Sequence, residues 1–182
     1  MGGEAGLPTE GTPGGVVCER VRLLLPLLEF NRGYFQLLMT EVTDEMFVRP
    51  SVAGGKTMQW VVGHLVVVND GGVALLGGTR SCPPEWQSLF GPRSSPAALT
   101  TEAPGKAALV AAFDAGVTRL SQAAASVTVE QLDARHPVPM PILRRMLPTV
   151  GELLGHLMTT HLAGHLGQIS VLRREFGLKE LF

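Results

Sequence analysis

The stretch His161-Leu162-Ala163-Gly164-His165-Leu166-Gly167-Gln168 decides the fold, because it places two histidines four residues apart. An α-helix turns about 100° per residue, so a four-residue step leaves two side chains about 40° apart on one face. His64, far upstream in Trp60-Val61-Val62-Gly63-His64-Leu65, can supply a third imidazole from a facing helix. Three nitrogen ligands leave coordination positions open, as catalytic metal sites do. The pattern predicts a metal inside a helical bundle, and it names no substrate.

Hydrophobic periodicity predicts four long helices, and no strand pattern competes with it. Thr149 and Glu152 match a capping box that opens the fourth helix, and Gly177 follows its end. Pro26 interrupts the first helix, which either kinks there or becomes strong only near Leu25. The expected helices are Val16–Val42, Met58–Leu76, Gly105–Ala125 and Thr149–Phe176. Two of the connections are long, so we expect an all-α four-helix bundle with long crossover connections.

Shorter elements are expected between these helices. Thr43 looks like the N-cap of a short helix that ends at Arg49-Pro50. Short turns are expected at Glu85–Phe90 and at Thr128–Gln131, and the proline-rich segment 137–148 is expected to be irregular. Residues 1–15 are Gly, Pro, Thr and Glu with almost nothing to bury, which predicts a disordered tail and a bundle domain over residues 16–182.

Composition argues against several classes of function. The chain has 182 residues and a formal net charge of −1, with Lys and Arg scattered, so neither a nucleic-acid partner nor an acidic membrane surface is expected. The two cysteines, Cys18 and Cys82, form no Cys-x-x-Cys, which argues against a disulfide framework and a cysteine-rich metal site. We find no signal peptide or bilayer-spanning run, so a soluble cytoplasmic protein is expected.

The other polar candidates carry weaker signals. His156 precedes His161 by five residues, about 140° around a regular helix, so it is expected to face elsewhere. His136 lies between Arg135 and Pro137 in a loop, from which it could reach the mouth of the site, but the favoured expectation is an exposed side chain. Gln168 lies near the ligand face, where it can orient a ligand or a water, or it can tie the fourth helix to a neighbour. His161 is followed by Leu162, so the His-Glu-x-x-His pattern of zinc proteases is missing.

The three histidines also admit a simpler interpretation. A single histidine on an apolar helix face is more often a hydrogen-bonded core residue than a metal ligand. Three that converge in a bundle interior need a reason, because a buried imidazole without a partner is costly. A metal supplies that reason, since neutral imidazole is a preferred nitrogen ligand.

The sequence resembles the DinB-like superfamily, also described as thiol-transferase-like or as metal-dependent hydrolases. The resemblance rests on His64-Leu65, on His161-Leu162-Ala163-Gly164-His165-Leu166-Gly167-Gln168-Ile169 and on Leu172-Arg173-Arg174. It implies that His64, His161 and His165 bind a divalent metal, zinc first and nickel second, in a bundle that is often a dimer. It also implies group transfer to or from low-molecular-weight thiols such as bacillithiol or mycothiol. This chain departs from the pattern in having Leu162, Gly164 and Leu166 where many members carry polar residues.

Two hypotheses follow. In the first, an enzyme uses the open metal position to lower the pKa of a thiol or a water. Loops around Trp86 and from Pro137 to Pro148 would wall the pocket, and the substrate would be a small thiol or an apolar electrophile. In the second, a non-enzymatic homodimeric bundle is only stabilised by its metal, which the leucines beside the ligands favour. A metal-free bundle with a degenerate site is a third interpretation.

Overall fold

The computed structural model describes residues 17–52 and 54–181, so the tail predicted at residues 1–15 lies outside the described residues. Ten α-helices are found in this part of the chain, and none of its residues forms a strand. The helices are α1 (Glu19–Arg22), α2 (Leu24–Met39), α3 (Asp44–Val48), α4 (Met58–Leu75), α5 (Pro84–Phe90), α6 (Lys106–Ala125), α7 (Val129–Asp133), α8 (Pro141–Met146), α9 (Val150–His156) and α10 (Leu162–Glu175). A 3₁₀ turn spans Pro96–Ala98, and a π-helical turn at Leu157–His161 joins α9 to α10.

Four long helical rods form the bundle. Helix α4 packs against α6 and α10, and α2 packs against the same two helices from the opposite side. The core between them consists of fully buried aromatic and aliphatic side chains. The ring centroids of Phe35 and Phe113 are 3.9 Å apart. The predicted all-α four-helix bundle is therefore confirmed, and the side of α4 that faces α10 is where the histidines meet.

Local sequence signals set most helix ends. The side chains of Thr43, Thr57 and Thr149 each accept a hydrogen bond from a backbone amide of the first helical turn, and Thr149 forms a full capping box with Glu152. Gly177 follows α10 with a φ of +86°, a left-handed conformation that glycine adopts without steric cost. These ends agree with the predicted ones.

The first predicted helix, Val16–Val42, follows the second of the two alternatives that Pro26 left open. It is divided into α1 and α2, and α2 begins at Leu24, so that its third residue is Pro26. Its missing N–H costs little there, because amides of a first turn have no intrahelical partner. The segment 137–148, predicted to be irregular, contains α8, which begins at Pro141 for the same reason. No helix among the described residues has both the length and the apolar composition needed to cross a bilayer.

Candidate metal centre

Three imidazoles converge where α4 faces the fourth rod of the bundle: His64 lies on α4, His161 ends the π-helical turn before α10, and His165 lies on α10. His64, His161 and His165 each place one ring nitrogen so that the three nitrogens all lie within 4.8 Å of one another. The shortest separation joins the Nε2 atoms of His64 and His161, at 3.3 Å. His64 is buried and the other two are partly buried, so the cluster has one covered side and one accessible side.

His64 is held from two directions. Its Nδ1 donates a hydrogen bond to the carbonyl of Phe90, at 2.8 Å, which leaves the Nε2 lone pair pointing toward the other histidines. The indole of Trp60, one turn earlier on α4, stacks on the imidazole with ring centroids 5.1 Å apart and planes inclined by 5°. The ring of His64 is therefore fixed in both tautomer and orientation.

His165 is oriented by its own helix. Its Nδ1 lies 3.1 Å from Oε1 of Gln168, three residues later, and the same oxygen accepts from Nζ of Lys56 at 3.5 Å. An amide oxygen can only accept, so Nδ1 of His165 is the donor and Nε2 is left as a free lone pair. Gln168 thus lies where the sequence placed it, against a ring of the cluster.

His161 differs from the other two. Its Nδ1 is buried and has no hydrogen-bond partner in the described part of the chain, while its Nε2 faces His64. Burial, together with the neighbouring imidazoles, lowers the pKa of His161 to about 3. Burial likewise lowers the pKa of His165 to about 4 and also lowers the pKa of His64. All three rings are consequently neutral near pH 7, which is the form that binds metal.

These donors fit a divalent transition metal. Two nitrogens about 2.1 Å from a tetrahedral ion lie roughly 3.4 Å apart, close to the observed separation of 3.3 Å between His64 and His161. Among the described residues, no carboxylate or thiolate joins the histidines in a metal-binding group. An all-imidazole donor set suits zinc, nickel, copper or iron and not the oxygen-seeking magnesium and calcium.

A π-helical turn changes where His156 points. The turn at Leu157–His161 adds one residue, so side chains five apart share a face. The rings of His156 and His161 are accordingly 5.5 Å apart instead of facing different directions, and the predicted 140° offset is wrong. The hydroxyl of Thr159 donates to the carbonyl of Gly155 at 2.6 Å, a threonine interaction that distorts helices. Nδ1 of His156 pairs with the Thr160 hydroxyl at 2.7 Å, and His156 stays outside the three-nitrogen cluster.

His136 is also placed differently from the prediction. Expected to be exposed in a loop, it is buried, and neither of its ring nitrogens has a hydrogen-bond partner within the described residues. Its backbone joins the start of α9 through an isolated bridge between Arg135 and Thr149. It does not belong to the histidine cluster.

Comparison with known proteins agrees with the fold. Residues 27–169 match the family model described as the DinB superfamily, which is more than half of the chain. The chain belongs to the DinB superfamily. A solved structure of the same fold is YfiT from Bacillus subtilis, whose description reads "a probable metal-dependent hydrolase with an unusual four-helix bundle topology". The likeness has a TM-score of 0.60 and 18% sequence identity, and covers 93% of this chain and 95% of YfiT. No curated protein matches the chain.

Proposed function

We propose that this DinB-superfamily protein binds one divalent metal ion through the Nε2 atoms of His64, His161 and His165, with zinc the first candidate and nickel the second. The observation that carries the proposal is the convergence of three nitrogens within 4.8 Å on neutral imidazoles. Neighbouring groups support it, because Phe90 and Gln168 accept from the Nδ1 atoms of two ligands, as groups around metal-binding histidines do.

We further propose that the protein is an enzyme, a metal-dependent hydrolase or a thiol S-transferase. A divalent ion held there supplies a Lewis acid that lowers the pKa of a thiol or a water. Three ligands leave room for that group, which a closed structural zinc site does not. Lys56 places a positive charge beside Gln168 and 5.8 Å from the ring of Trp60, where it would attract an anionic group of the substrate. The proposed substrates are a small thiol and an apolar electrophile, and the proposed assembly is a homodimer.

The second candidate function is a metal-binding bundle that is not an enzyme. Leu162 and Leu166 stand beside the ligands and are fully buried, so the helix around the site offers little for proton transfer. In that case the metal stabilises the bundle or a dimer, and its binding energy is folding energy.

Metal content tests the site itself. Protein purified without a histidine tag would be analysed by plasma mass spectrometry beside His64→Ala, His161→Ala and the matched control His156→Ala. We expect about one zinc or nickel ion per chain in the wild type and in His156→Ala, and loss of the metal in the other two. A wild type that stays metal-free after reloading would mean that the histidines are core residues.

The two functions are separated by His161→Ala. Loss of the metal should lower the melting temperature in either case, because a ligand that binds only the folded state stabilises it. If the metal is catalytic, the metal-loaded wild type also turns over members of a panel of thiols with electrophiles, amides and esters, and the variant does not. Absence of turnover by metal-loaded wild type on the whole panel would favour the non-enzymatic bundle.

A further inference from the structure

The segment from Thr79 to Ser94, which contains α5, is attached to the bundle at its first end by a buried carboxylate. Asp70 on α4 is only 2% exposed. Its Oδ1 accepts from the backbone amide of Ser81 at 2.7 Å and from the Ser81 hydroxyl at 3.1 Å. Burial alone would raise the pKa of Asp70, but these hydrogen bonds and one from Arg119 lower it overall, so it is charged near pH 7.

Arg119 on α6 completes this attachment. Its Nη1 donates to Oδ1 of Asp70 at 3.1 Å and also to the hydroxyl of Ser81, and its Nη2 donates to the carbonyl of Thr79. One guanidinium therefore joins two helices of the bundle to two residues at the start of the segment. The carboxylate at the centre of this network is buried, and a buried charge fixes the geometry of its partners because it would be costly without them.

The second end is attached through Trp60. The indole Nε1 donates to the Ser94 hydroxyl at 3.0 Å, and the same indole stacks on His64. Between the two ends lies Phe90, the last residue of α5, which is fully buried and whose carbonyl accepts from Nδ1 of His64. The segment is therefore attached to Asp70 at its first end and to Trp60 at its second end. Between the two ends, the carbonyl of Phe90 contacts the histidine cluster.

We propose that residues 79–94 are a positioning strap, in which Asp70 and Arg119 determine where the Phe90 carbonyl meets His64 and so how tightly the three-histidine site holds its metal. A helix C-terminal carbonyl lacks an intrahelical donor and carries partial negative charge, so it suits an imidazole N–H. Partners of this kind around metal ligands typically change affinity by about 10–100-fold. The inference rests on the metal site proposed above; Asp70 and Arg119 are positioning residues and touch no ligand nitrogen.

The test compares Asp70→Asn with Asp114→Asn in the full-length protein. Asp114 is a matched control, because it also accepts from an arginine, Nε of Arg32 at 3.0 Å, but it joins α6 to α2 away from the strap. The dissociation constant for Zn²⁺ would be measured by chelator competition, at a temperature where circular dichroism shows each variant folded. We expect Asp70→Asn to raise the dissociation constant by about tenfold or more, and Asp114→Asn to leave the dissociation constant within about twofold of the wild-type value.

A second readout does not need metal. Hydrogen exchange of the His64 Nδ1 proton, followed by nuclear magnetic resonance in the metal-free protein, should be slow in the wild type and in Asp114→Asn and faster in Asp70→Asn. If Asp70→Asn does not fold, Ser94→Ala replaces it, since it removes only the acceptor of the Trp60 indole, and it should move both readouts in the same direction.

If Asp70→Asn changes neither the affinity for Zn²⁺ nor the exchange rate of the His64 Nδ1 proton, the positioning role proposed for the strap is wrong. If the wild type binds no metal at all, the proposed function fails, and the exchange experiment still decides whether Asp70 controls the bond between Phe90 and His64.

Discussion

The ring of Phe90 lies directly on the backbone of Gly63, the residue before His64. A Cβ added at Gly63 would come within 2.3 Å of Cδ1 of Phe90, closer than carbon atoms approach in proteins. Phe90 has no room to retreat, because its side chain is fully buried. This close approach lets the last residue of α5 reach α4 and direct its carbonyl at His64.

Gly63→Ala should therefore destabilise the protein by about 1–3 kcal/mol, the usual cost of overpacking a core. The matched control is Gly33→Ala on α2, where an added Cβ meets nothing within 4 Å. That change should stabilise by about 0.5–1 kcal/mol, because alanine loses less backbone entropy in a helix than glycine. Urea unfolding of both variants checks the pair, and equal effects would contradict the packing argument.

Arg173 is expected to matter for stability far more than its neighbour Arg174. Arg173 is 1% exposed and donates to the carbonyl of Leu38 at 2.7 Å and to the carboxylate of Glu41 at 2.9 Å. Arg173→Met should lower the free energy of unfolding by about 2–4 kcal/mol, because the Leu38 carbonyl loses its charged donor.

The control, Arg174→Met, removes an exposed ion pair with Glu180 and should cost less than about 1 kcal/mol. Chemical denaturation of the two variants measures the difference. A similar loss in both would mean that burial of the Arg173 guanidinium is not what holds α10 to the end of α2.

The parts of this structure that sequence predicts are those set by local rules. Thr149 and Glu152 cap their helix through contacts three residues apart, and a four-residue step brings His161 and His165 together. The periodicity of α4 placed His64 on a face that meets them. Each of these inferences needs only helix geometry and an apolar pattern.

The remaining features depend on tertiary contacts that no local pattern carries. The carbonyl of Phe90 reaches His64 across 26 residues of sequence, and Arg119 reaches Asp70 across 49. The π-helical turn before His161 breaks the rule used to place His156. The adjacent Thr159 and Thr160 were a hint of it, since threonine hydroxyls compete for helix carbonyls.

The thiol of Cys82 should react slowly with alkylating reagents in the folded protein. Burial, together with the nearby charge of Asp70, raises the pKa of Cys82 to about 11. At about pH 8 roughly one molecule in a thousand would carry the reactive thiolate. Iodoacetamide labelling of a Cys18→Ser variant, followed by mass spectrometry, should be much slower in the folded state than in urea. Equal rates in the two states would contradict the raised pKa.

His161→Leu should separate two effects of the metal site on stability: the cost of a buried nitrogen without a partner and the stabilisation that bound metal provides. Nδ1 of His161 is buried without a partner, and such a group costs about 1–3 kcal/mol. Without metal, the leucine variant should be at least as stable as the wild type at neutral pH, because that nitrogen is gone. With excess Zn²⁺, the melting temperature of the wild type should rise and that of the variant should not. A metal-free variant clearly less stable than the metal-free wild type would show that the imidazole is needed for packing.

The same pair of proteins predicts a pH dependence in the metal-free state. The pKa of His161 is lowered to about 3 in the folded protein, whereas an unfolded histidine titrates near pH 6.5. Below about pH 6.5 the unfolded chain takes up a proton that the folded chain refuses, so stability falls as the pH decreases. His161→Leu removes one such group and should lose less stability between about pH 7 and pH 5 than the wild type. Urea unfolding at both pH values tests this, and parallel losses in the two proteins would mean that His161 takes up its proton as readily in the folded state as in the unfolded one.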